Sequence, residues 1–311
     1  MKKVMMDDQE CDEMGLEKPT VCVLDASNYV GFWILKGLLR RGYWVHAALQ
    51  LDGEKEILKE IREMEKVEER LEVFEVDVLD YHSILDAIKG CSGLFCSLDS
   101  TEGYDDAGVE LEVRGVINVM EACAQTIGIH RVVFSSSITA AIWRENITSD
   151  TDHIDERSWS DPDFCRKMKL RYALAKTLSE QAAWGLAMDR MLNMVSINAG
   201  LVLGPAITRH NSPLTMSYLK GAAEMYENGV LAYVDVDYLV DAHIRAFEDP
   251  SAAGRYLCYN HVVNNEEETS KLVKGLSPLL SFPPSYGPQG KEVFPERLKN
   301  SKLSKLIASA A

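Results

Sequence analysis

Short apolar runs alternate with stretches of helical periodicity along most of this chain, and this alternation constrains its fold more than any other feature. The predicted elements begin with a strand and then alternate between helix and strand. In order, they cover residues 21–24, 32–41, 43–49, 53–70, 71–76, 81–89, 93–97, 113–125 and 131–137. Strands that alternate with helices at this spacing form βαβ units, which build a parallel sheet with helices on both faces. The fold class is therefore predicted as α/β.

Short connections and right-handed crossovers order such units as a doubly wound, Rossmann-type sheet, which binds its ligand at the carboxyl ends of the strands. We assign residues 1–18 to a mobile tail and residues 19–200 to a dinucleotide-binding domain, to which residues 228–248 return. Residues 201–227 and 249–311 are less regular, and we predict that they form a smaller, C-terminal substrate lobe.

Composition excludes several classes of protein. With 46% hydrophobic residues, no apolar run of about 18 residues and no apolar leader, the chain is predicted to be soluble and cytoplasmic. A formal net charge of −15 argues against nucleic acid or a membrane surface as a partner, because both bind basic surfaces. The seven cysteines and seven histidines are scattered, so the sequence predicts neither a disulfide framework nor a metal site.

Three side chains near the middle of the chain form a candidate catalytic group. Tyr172 and Lys176 are four residues apart in a predicted helix, so their side chains project from one face. A strand that ends at Ser137 could bring a hydroxyl to the same point. Such a trio suits protonation of a carbonyl oxygen while another group delivers hydride. A helix-capping serine cluster, a packed tyrosine and a surface lysine are the alternative interpretations.

Five blocks of sequence, in order, resemble one known family. They cover residues 131–137, 155–165, 172–176, 201–205 and 254–258. The first reads Arg-Val-Val-Phe-Ser-Ser-Ser, the third Tyr-Ala-Leu-Ala-Lys and the fourth Leu-Val-Leu-Gly-Pro. On these motifs the chain resembles an extended short-chain dehydrogenase/reductase, and within that family the plant cinnamoyl-CoA reductase-like and dihydroflavonol reductases.

This resemblance implies a mechanism and a cofactor. Tyr172 would be the general acid, and a nearby cation would lower its pKa from the value of about 10 of a free phenol. Lys176 would be that cation and would also hydrogen-bond the nicotinamide ribose, while Ser137 would hold and polarise the carbonyl. No protein side chain supplies hydride, so the reaction requires a bound nicotinamide, which the resemblance implies is NADP(H).

The resemblance also implies where the cofactor lies. The family's turn reads GxxGxxG, and Asp25, Asn28 and Gly31 occupy those three positions here. A carboxylate about 4 Å from a phosphate costs roughly 1 to 4 kcal/mol, so Asp25 is expected to weaken binding unless its side chain points away. Asn28 is the milder change, because Asn tolerates left-handed backbone. The full predicted cofactor-binding set is Asp25, Ser27, Asn28, Tyr29, Val30, Gly31, Gln50, Asp77, Val78 and Lys176.

A second departure from the family pattern lies at the end of the second predicted strand. NADP-dependent relatives carry an arginine there for the 2′-phosphate, and an NAD enzyme carries an acid for the ribose hydroxyl. This chain has Gln50, which suits neither role well. Asp77, at the end of the third strand, matches the family's adenine-contacting position.

Three functions remain open on the sequence alone. The first is an NADP(H)-dependent reductase of a small carbonyl or CoA-thioester substrate, as in phenylpropanoid metabolism. The second is a cofactor-poor relative that keeps the fold as a non-catalytic binding or regulatory module. The third is an NAD-linked epimerase or hydroxysteroid-type dehydrogenase with the same trio. The sequence predicts neither the individual substrate nor the oligomeric state.

Overall fold

In the computed structural model, the described residues are 18–50, 52–100, 104–145, 153–277, 279 and 296–308. Their strands are β1 (Thr20–Leu24), β2 (Trp44–Leu49), β3 (Leu71–Glu75), β4 (Gly93–Cys96), β5 (Arg131–Ser137), β6 (Met194–Ala199), β7 (Leu201–Leu203), β8 (Ala232–Asp235), β9 (Gly254–Cys258) and β10 (His261–Val262). Their helices are α1 (Tyr29–Arg40), α2 (Lys55–Glu65), α3 (Tyr81–Ile88), α4 (Asp106–Gln125), α5 (Thr139–Ile142), α6 (Pro162–Lys167), α7 (Arg171–Asp189), α8 (Ile207–His210), α9 (Ser212–Tyr218), α10 (Ala222–Glu227), α11 (Val236–Glu248), α12 (Glu266–Gly275) and α13 (Ser301–Ala308).

Seven strands form one parallel sheet in the order β3-β2-β1-β4-β5-β6-β9. At its centre Leu24 pairs with Ala48 of β2 on one side and with Cys96 of β4 on the other. The strand order therefore reverses beside β1, and open parallel sheets bind their ligands beyond the carboxyl ends of the strands at such a reversal. The predicted Rossmann-type α/β fold is confirmed.

Helices cover both faces of this sheet because its central strands are apolar on both faces. β6 is buried at every position, and β1 is buried at every position after Thr20. The protein has two hydrophobic cores. One contains side chains of α1 and α11, and the other contains side chains of α3 and α4. The carboxyl ends of the strands are thereby held as a rigid edge between two layers of helices.

A smaller sheet follows the main one, in the order β10-β8-β7. β8, which the sequence assigns to the large domain, pairs with β7 of the predicted lobe. β9, from the predicted lobe, pairs with β6 in the large sheet. The division into a dinucleotide-binding domain and a substrate lobe stays a prediction. The predicted tail lies outside the described residues except for Lys18, whose ammonium donates to Glu248 at 2.9 Å.

Some predicted helix boundaries are wrong. α4 begins at Asp106 rather than at residue 113, because the Asp105 carboxylate caps it by accepting from the Gly108 N–H at 2.7 Å. α1 begins at Tyr29 rather than at residue 32, because Asn28 caps it in the same way. α2 ends at Glu65, before the predicted end at residue 70. The earlier start of α4 matters for the site, because it places Glu112 on a helix.

A buried carboxylate on α7 holds three strands together. Glu180 is fully buried and accepts hydrogen bonds from Ser136 of β5 at 2.8 Å, Ser196 of β6 at 2.7 Å and Asn198 of β6 at 2.7 Å. Arg255 of β9 forms an ion pair with it at 2.8 Å. Because every partner comes from a strand beside α7, this network fixes the helix that carries Tyr172 and Lys176 against the sheet.

Candidate active site

The turn between β1 and α1 lies at the strand reversal, and within it the backbone of Asp25 passes close to Gly31. A Cβ on Gly31 would lie 1.8 Å from the Asp25 carbonyl oxygen, so this position requires glycine. The Asn28 side chain accepts from the Gly31 N–H at 2.8 Å and donates to the Ser97 carbonyl. Asn28 itself has extended backbone, with φ −92°, so it does not use the left-handed conformation that Asn tolerates.

Asp25 points away from the predicted pyrophosphate position. Its side chain is fully buried, and Oδ1 accepts from the Ser27 N–H at 2.6 Å and from the Ser27 hydroxyl. Its Oδ2 accepts from the Gln50 amide at 3.0 Å. Burial raises the pKa of Asp25 to about 6, although the hydrogen bonds from Ser27 and Gln50 act in the opposite direction. The two departures from the family pattern, Asp25 and Gln50, are thus partners of each other.

Lys176 is buried in a cluster of acceptors at the end of β4. Its Nζ donates to the Leu98 carbonyl at 2.7 Å and to both Glu112 oxygens at 3.1 Å, and it forms an ion pair with Asp99 Oδ1 at 2.6 Å. Burial alone lowers the pKa of Lys176, but the carboxylates of Asp99 and Glu112 raise it well above the usual value. An ammonium has three hydrogens, so four oxygens already compete for them.

The predicted trio comes together at this point. Lys176 Nζ lies 5.6 Å from the centre of the Tyr172 ring, and Ser137, the last residue of β5, is close enough to the phenol to lower its pKa. Ser137 also accepts from the Thr139 hydroxyl at 3.0 Å and lies 3.4 Å from the Ala199 carbonyl. Burial raises the pKa of Tyr172, while Lys176 and Ser137 lower it and the two carboxylates raise it further.

Three cavities open along the strand ends, and we name each after one residue. The Tyr172 cavity, of about 40 Å³, is also lined by Ser135, Ser136, Lys176 and His243. The Gln50 cavity, of about 680 Å³, is lined on its other sides by Val78, Tyr104, Glu112 and Arg114. The His210 cavity, of about 320 Å³, is lined by Asn28, Tyr29, Lys55 and Arg209, among others. Asp99 lines all three, so they meet at its side chain.

The remaining residues of the predicted cofactor-binding set lie in different surroundings from one another. Tyr29 donates to the Pro205 carbonyl at 3.0 Å, and Val30 lines the Tyr172 cavity. Ser27 is fully buried beneath the turn. Asp77 is exposed at the end of β3, where its carboxylate accepts from the Leu79 N–H at 2.8 Å, and it lines none of the three cavities. These residues are therefore divided among a packed turn, the cavity walls and, for Asp77, the exposed surface.

The predicted substrate lobe contributes α9 to the Tyr172 cavity. Thr215 and Tyr218 line it, and the Thr215 hydroxyl is buried with no hydrogen-bond partner among the described residues. On the opposite wall, His243 Nε2 lies 2.8 Å from the Ser135 hydroxyl. His243 Nδ1 lies 2.8 Å from the Leu239 carbonyl, so Nδ1 carries the hydrogen and Nε2 accepts from Ser135.

Sequence reasoning missed Asp99, Glu112 and Tyr104, which surround Lys176. Glu112 accepts from the Ser179 hydroxyl at 2.8 Å and from the Tyr104 hydroxyl. A signal for Glu112 existed in the sequence, because on α4 it shares the buried stripe of Val109 and Val116. An acid inside an apolar stripe indicates a buried partner of opposite charge.

The charge and size of these cavities can be compared with those of a nicotinamide dinucleotide. The inward turn of Asp25 keeps its charge out of the three cavities, and the Gln50 cavity is within the size range of cofactor pockets. Arg114 is a base in its lining, which also contains five acids, Asp52, Asp99, Asp105, Glu110 and Glu112. The size of the cavity and Arg114 therefore suit the adenosine side, whereas the acids oppose the phosphates and Lys176 has its hydrogens engaged by protein oxygens. A parallel sheet with this crevice and a Ser, Tyr and Lys at its strand ends defines a Rossmann-type dehydrogenase or reductase.

Comparison with known proteins agrees with this class. The sequence model of the NAD dependent epimerase/dehydratase family matches residues 21–261. Cinnamoyl-CoA reductase 1 of Petunia hybrida is 37% identical over 290 residues, which cover 92% of this chain and 86% of that protein. A bifunctional dihydroflavonol 4-reductase/flavanone 4-reductase of Malus domestica is 29% identical over 308 residues, or 94% of this chain and 86% of that protein.

Among solved structures, vestitone reductase from alfalfa (Medicago sativa) is similar, with a TM-score of 0.70 and 25% identity over 93% of this chain and 92% of that chain. The chain belongs to the NAD dependent epimerase/dehydratase family, the extended short-chain dehydrogenases/reductases. The prediction of an oxidoreductase is confirmed, because the relatives are named reductases. No helix in the described part of the chain is long and apolar enough to cross a membrane.

Proposed function

We propose that this protein is an NADP(H)-dependent reductase of a small carbonyl or CoA-thioester substrate, with Tyr172 as the general acid. The observation that carries this proposal is the position of Lys176 Nζ, 5.6 Å from the centre of the Tyr172 ring, at the carboxyl edge of the sheet where β5 ends in Ser137. The cinnamoyl-CoA reductase of Petunia hybrida supports the substrate class through its name and its 37% identity.

The chain's own residues would hold the reactants. The β1–α1 turn and the walls of the Gln50 cavity would hold the dinucleotide, and Arg114 would meet its 2′-phosphate. When bound, the nicotinamide supplies the hydride. Ser137 would hold the substrate oxygen beside the phenol, and residues of α9 would border the substrate.

Tyr172 would donate its proton to the substrate oxygen as negative charge develops there. Burial raises the pKa of this phenol, so it keeps its proton throughout the neutral range. A phenol that is protonated at neutral pH suits the donor role of carbonyl reduction, whereas the reverse oxidation needs a phenolate as base. The protonated phenol therefore supports the assignment of Tyr172 as the acid of a carbonyl reduction.

Cofactor titration tests this proposal. Purified full-length protein is titrated with NADPH and, separately, with NADH while cofactor fluorescence is followed, and small aldehydes, ketones and CoA thioesters are then offered to the complex. We expect NADPH to bind more tightly than NADH and to be oxidised by at least one compound class. Absence of NADPH binding at millimolar concentration would contradict the proposal, and tighter NADH binding would favour the NAD-linked dehydrogenase.

A second candidate, the non-catalytic binding module, is favoured by the surroundings of Lys176. Its hydrogens are directed to Leu98 and Glu112, and the Tyr172 cavity of about 40 Å³ has room for little more than water. Under this alternative the ion cluster serves only the fold. NADPH oxidation that disappears in the Y172F variant would dispose of it.

A further inference from the structure

The four oxygens around Lys176 differ in what else they touch. Glu112 is held on every side, because Ser179 and Tyr104 donate to it and its side chain is only 4% exposed. The Leu98 carbonyl belongs to the backbone that follows β4. These two acceptors are parts of the packed protein and cannot leave without disturbing it.

Asp99 is different because it faces the cavities. Its side chain is 13% exposed; Oδ1 contacts Lys176 and accepts from the Tyr104 hydroxyl at 3.5 Å, while Oδ2 has no hydrogen-bond donor among the described residues. It lines the Tyr172, Gln50 and His210 cavities, whereas Leu98 and Glu112 line only the Gln50 cavity among these three. The Asp99 carboxylate therefore occupies the side of Lys176 from which a ligand oxygen would approach.

The charges of the cluster also distinguish Asp99 from the other acceptors. Lys176 carries one positive charge and has two carboxylates within 3.1 Å, so the cluster is net negative when both are ionised. Glu112 alone suffices to neutralise Lys176. The second carboxylate is thus not needed to balance the buried cation, and it places an anion where an anionic dinucleotide would pass.

We propose that Asp99 is a positioning residue that withholds Lys176 from the ribose of a nicotinamide dinucleotide and thereby sets the affinity of the site for that cofactor. This proposal rests on the proposed function in assuming that a nicotinamide dinucleotide is the ligand. The two Glu112 oxygens both lie 3.1 Å from Lys176 Nζ and can share one hydrogen, and Leu98 takes a second. Removal of the Asp99 carboxylate therefore leaves a neutral Lys176–Glu112 pair whose third hydrogen a ribose hydroxyl can accept.

The D99A and D99N variants separate this effect from a general effect of charge. Both remove the negative charge, but the amide of D99N has nearly the same size and still presents an oxygen to Lys176. We expect NADPH to bind D99A about 10-fold more tightly than D99N, the ratio provided by one hydrogen bond to a charged group worth about 1.5 kcal/mol. D99S replaces D99A if thermal unfolding shows that D99A does not fold.

The matched ligand control is adenosine 2′-phosphate 5′-diphosphate, which lacks the nicotinamide riboside. Its affinities for D99A and D99N should agree within about two-fold, since it cannot contact Lys176 through that ribose. Equal NADPH affinities of the two variants, or the same gain for the fragment, would overturn the proposal. If Asp99 had only a structural role, the two variants would change the affinities for both ligands by the same factor.

Failure of this inference is distinguishable from failure of the proposed function. If the wild type binds NADPH and D99A binds it no more tightly than D99N, the inference falls and the reductase survives. If the wild type does not bind but D99A does, the inference stands and the wild-type protein is not an NADPH-dependent reductase. If none of the three proteins binds NADPH at millimolar concentration, both are overturned.

Discussion

At the residue scale, Asp25 and Gln50 show how two unfavourable substitutions can compensate each other. Singly, each departs from the family's cofactor cradle, and Asp25 alone would place a carboxylate near a pyrophosphate. In the folded chain the Gln50 amide and the Ser27 hydroxyl hold the Asp25 carboxylate beneath the turn. The sequence could not predict this pairing, because Asp25 and Gln50 are 25 residues apart and come together only when β1 pairs with β2.

The raised pKa of Asp25 leads to a prediction about stability. A carboxyl whose pKa rises from 3.8 to about 6 on folding binds its proton more tightly in the native state. Its contribution to stability is therefore present below pH 3.8 and is lost as the pH rises through about 6. The D25N variant has no charge to bury, so we expect it to be more stable than the wild type at pH 7, by roughly 1–3 kcal/mol.

Urea denaturation of both proteins between about pH 4 and pH 7 checks this prediction. The difference in the free energy of unfolding should be small at the acid end, grow through about pH 6 and then level off. A difference that does not change with pH would show that Asp25 is not buried as a carboxylate with a raised pKa.

At the scale of single elements, apolar periodicity predicted β1 to β5 well, missed β7, β9 and β10, and predicted the polar helix ends poorly. β1 and β4 are apolar nearly throughout, so their positions are evident in the sequence. The first two turns of α4 carry mostly acidic and small residues, and their helical structure depends on the Asp105 cap. For that reason Glu112 was left outside the predicted helix, and with it the partner of Lys176.

The network around Glu180 gives a prediction for α7. The E180Q variant removes the charge that balances Arg255, whose side chain is only 6% exposed. An unpaired buried charge costs about 3–5 kcal/mol, so we expect the free energy of unfolding to fall by that amount. The matched control is E121Q, which breaks a more exposed ion pair with Arg190 and should cost less than about 1 kcal/mol. Equal costs for the two variants in urea denaturation would contradict this role for Glu180.

At the scale of the whole molecule, the sheet order brings distant segments to one edge. β1 and β4 supply the turn and Asp99, β5 supplies Ser137, and α7 supplies Tyr172 and Lys176. This convergence was predictable, because all carboxyl ends of a parallel sheet meet at one edge. The shape of the cavities was not, since it depends on side chains from α4 and α9 that no motif marks.

The central claim is that Tyr172 is the proton donor of a reductase at this edge, and its direct test is the rate of NADPH oxidation across pH. With the best carbonyl substrate, the wild-type rate should stay nearly constant from about pH 6 to about pH 9, because burial raises the pKa of Tyr172. The Y172F variant should be slower by about 100-fold or more at every pH. Equal rates for the wild type and Y172F would contradict the account.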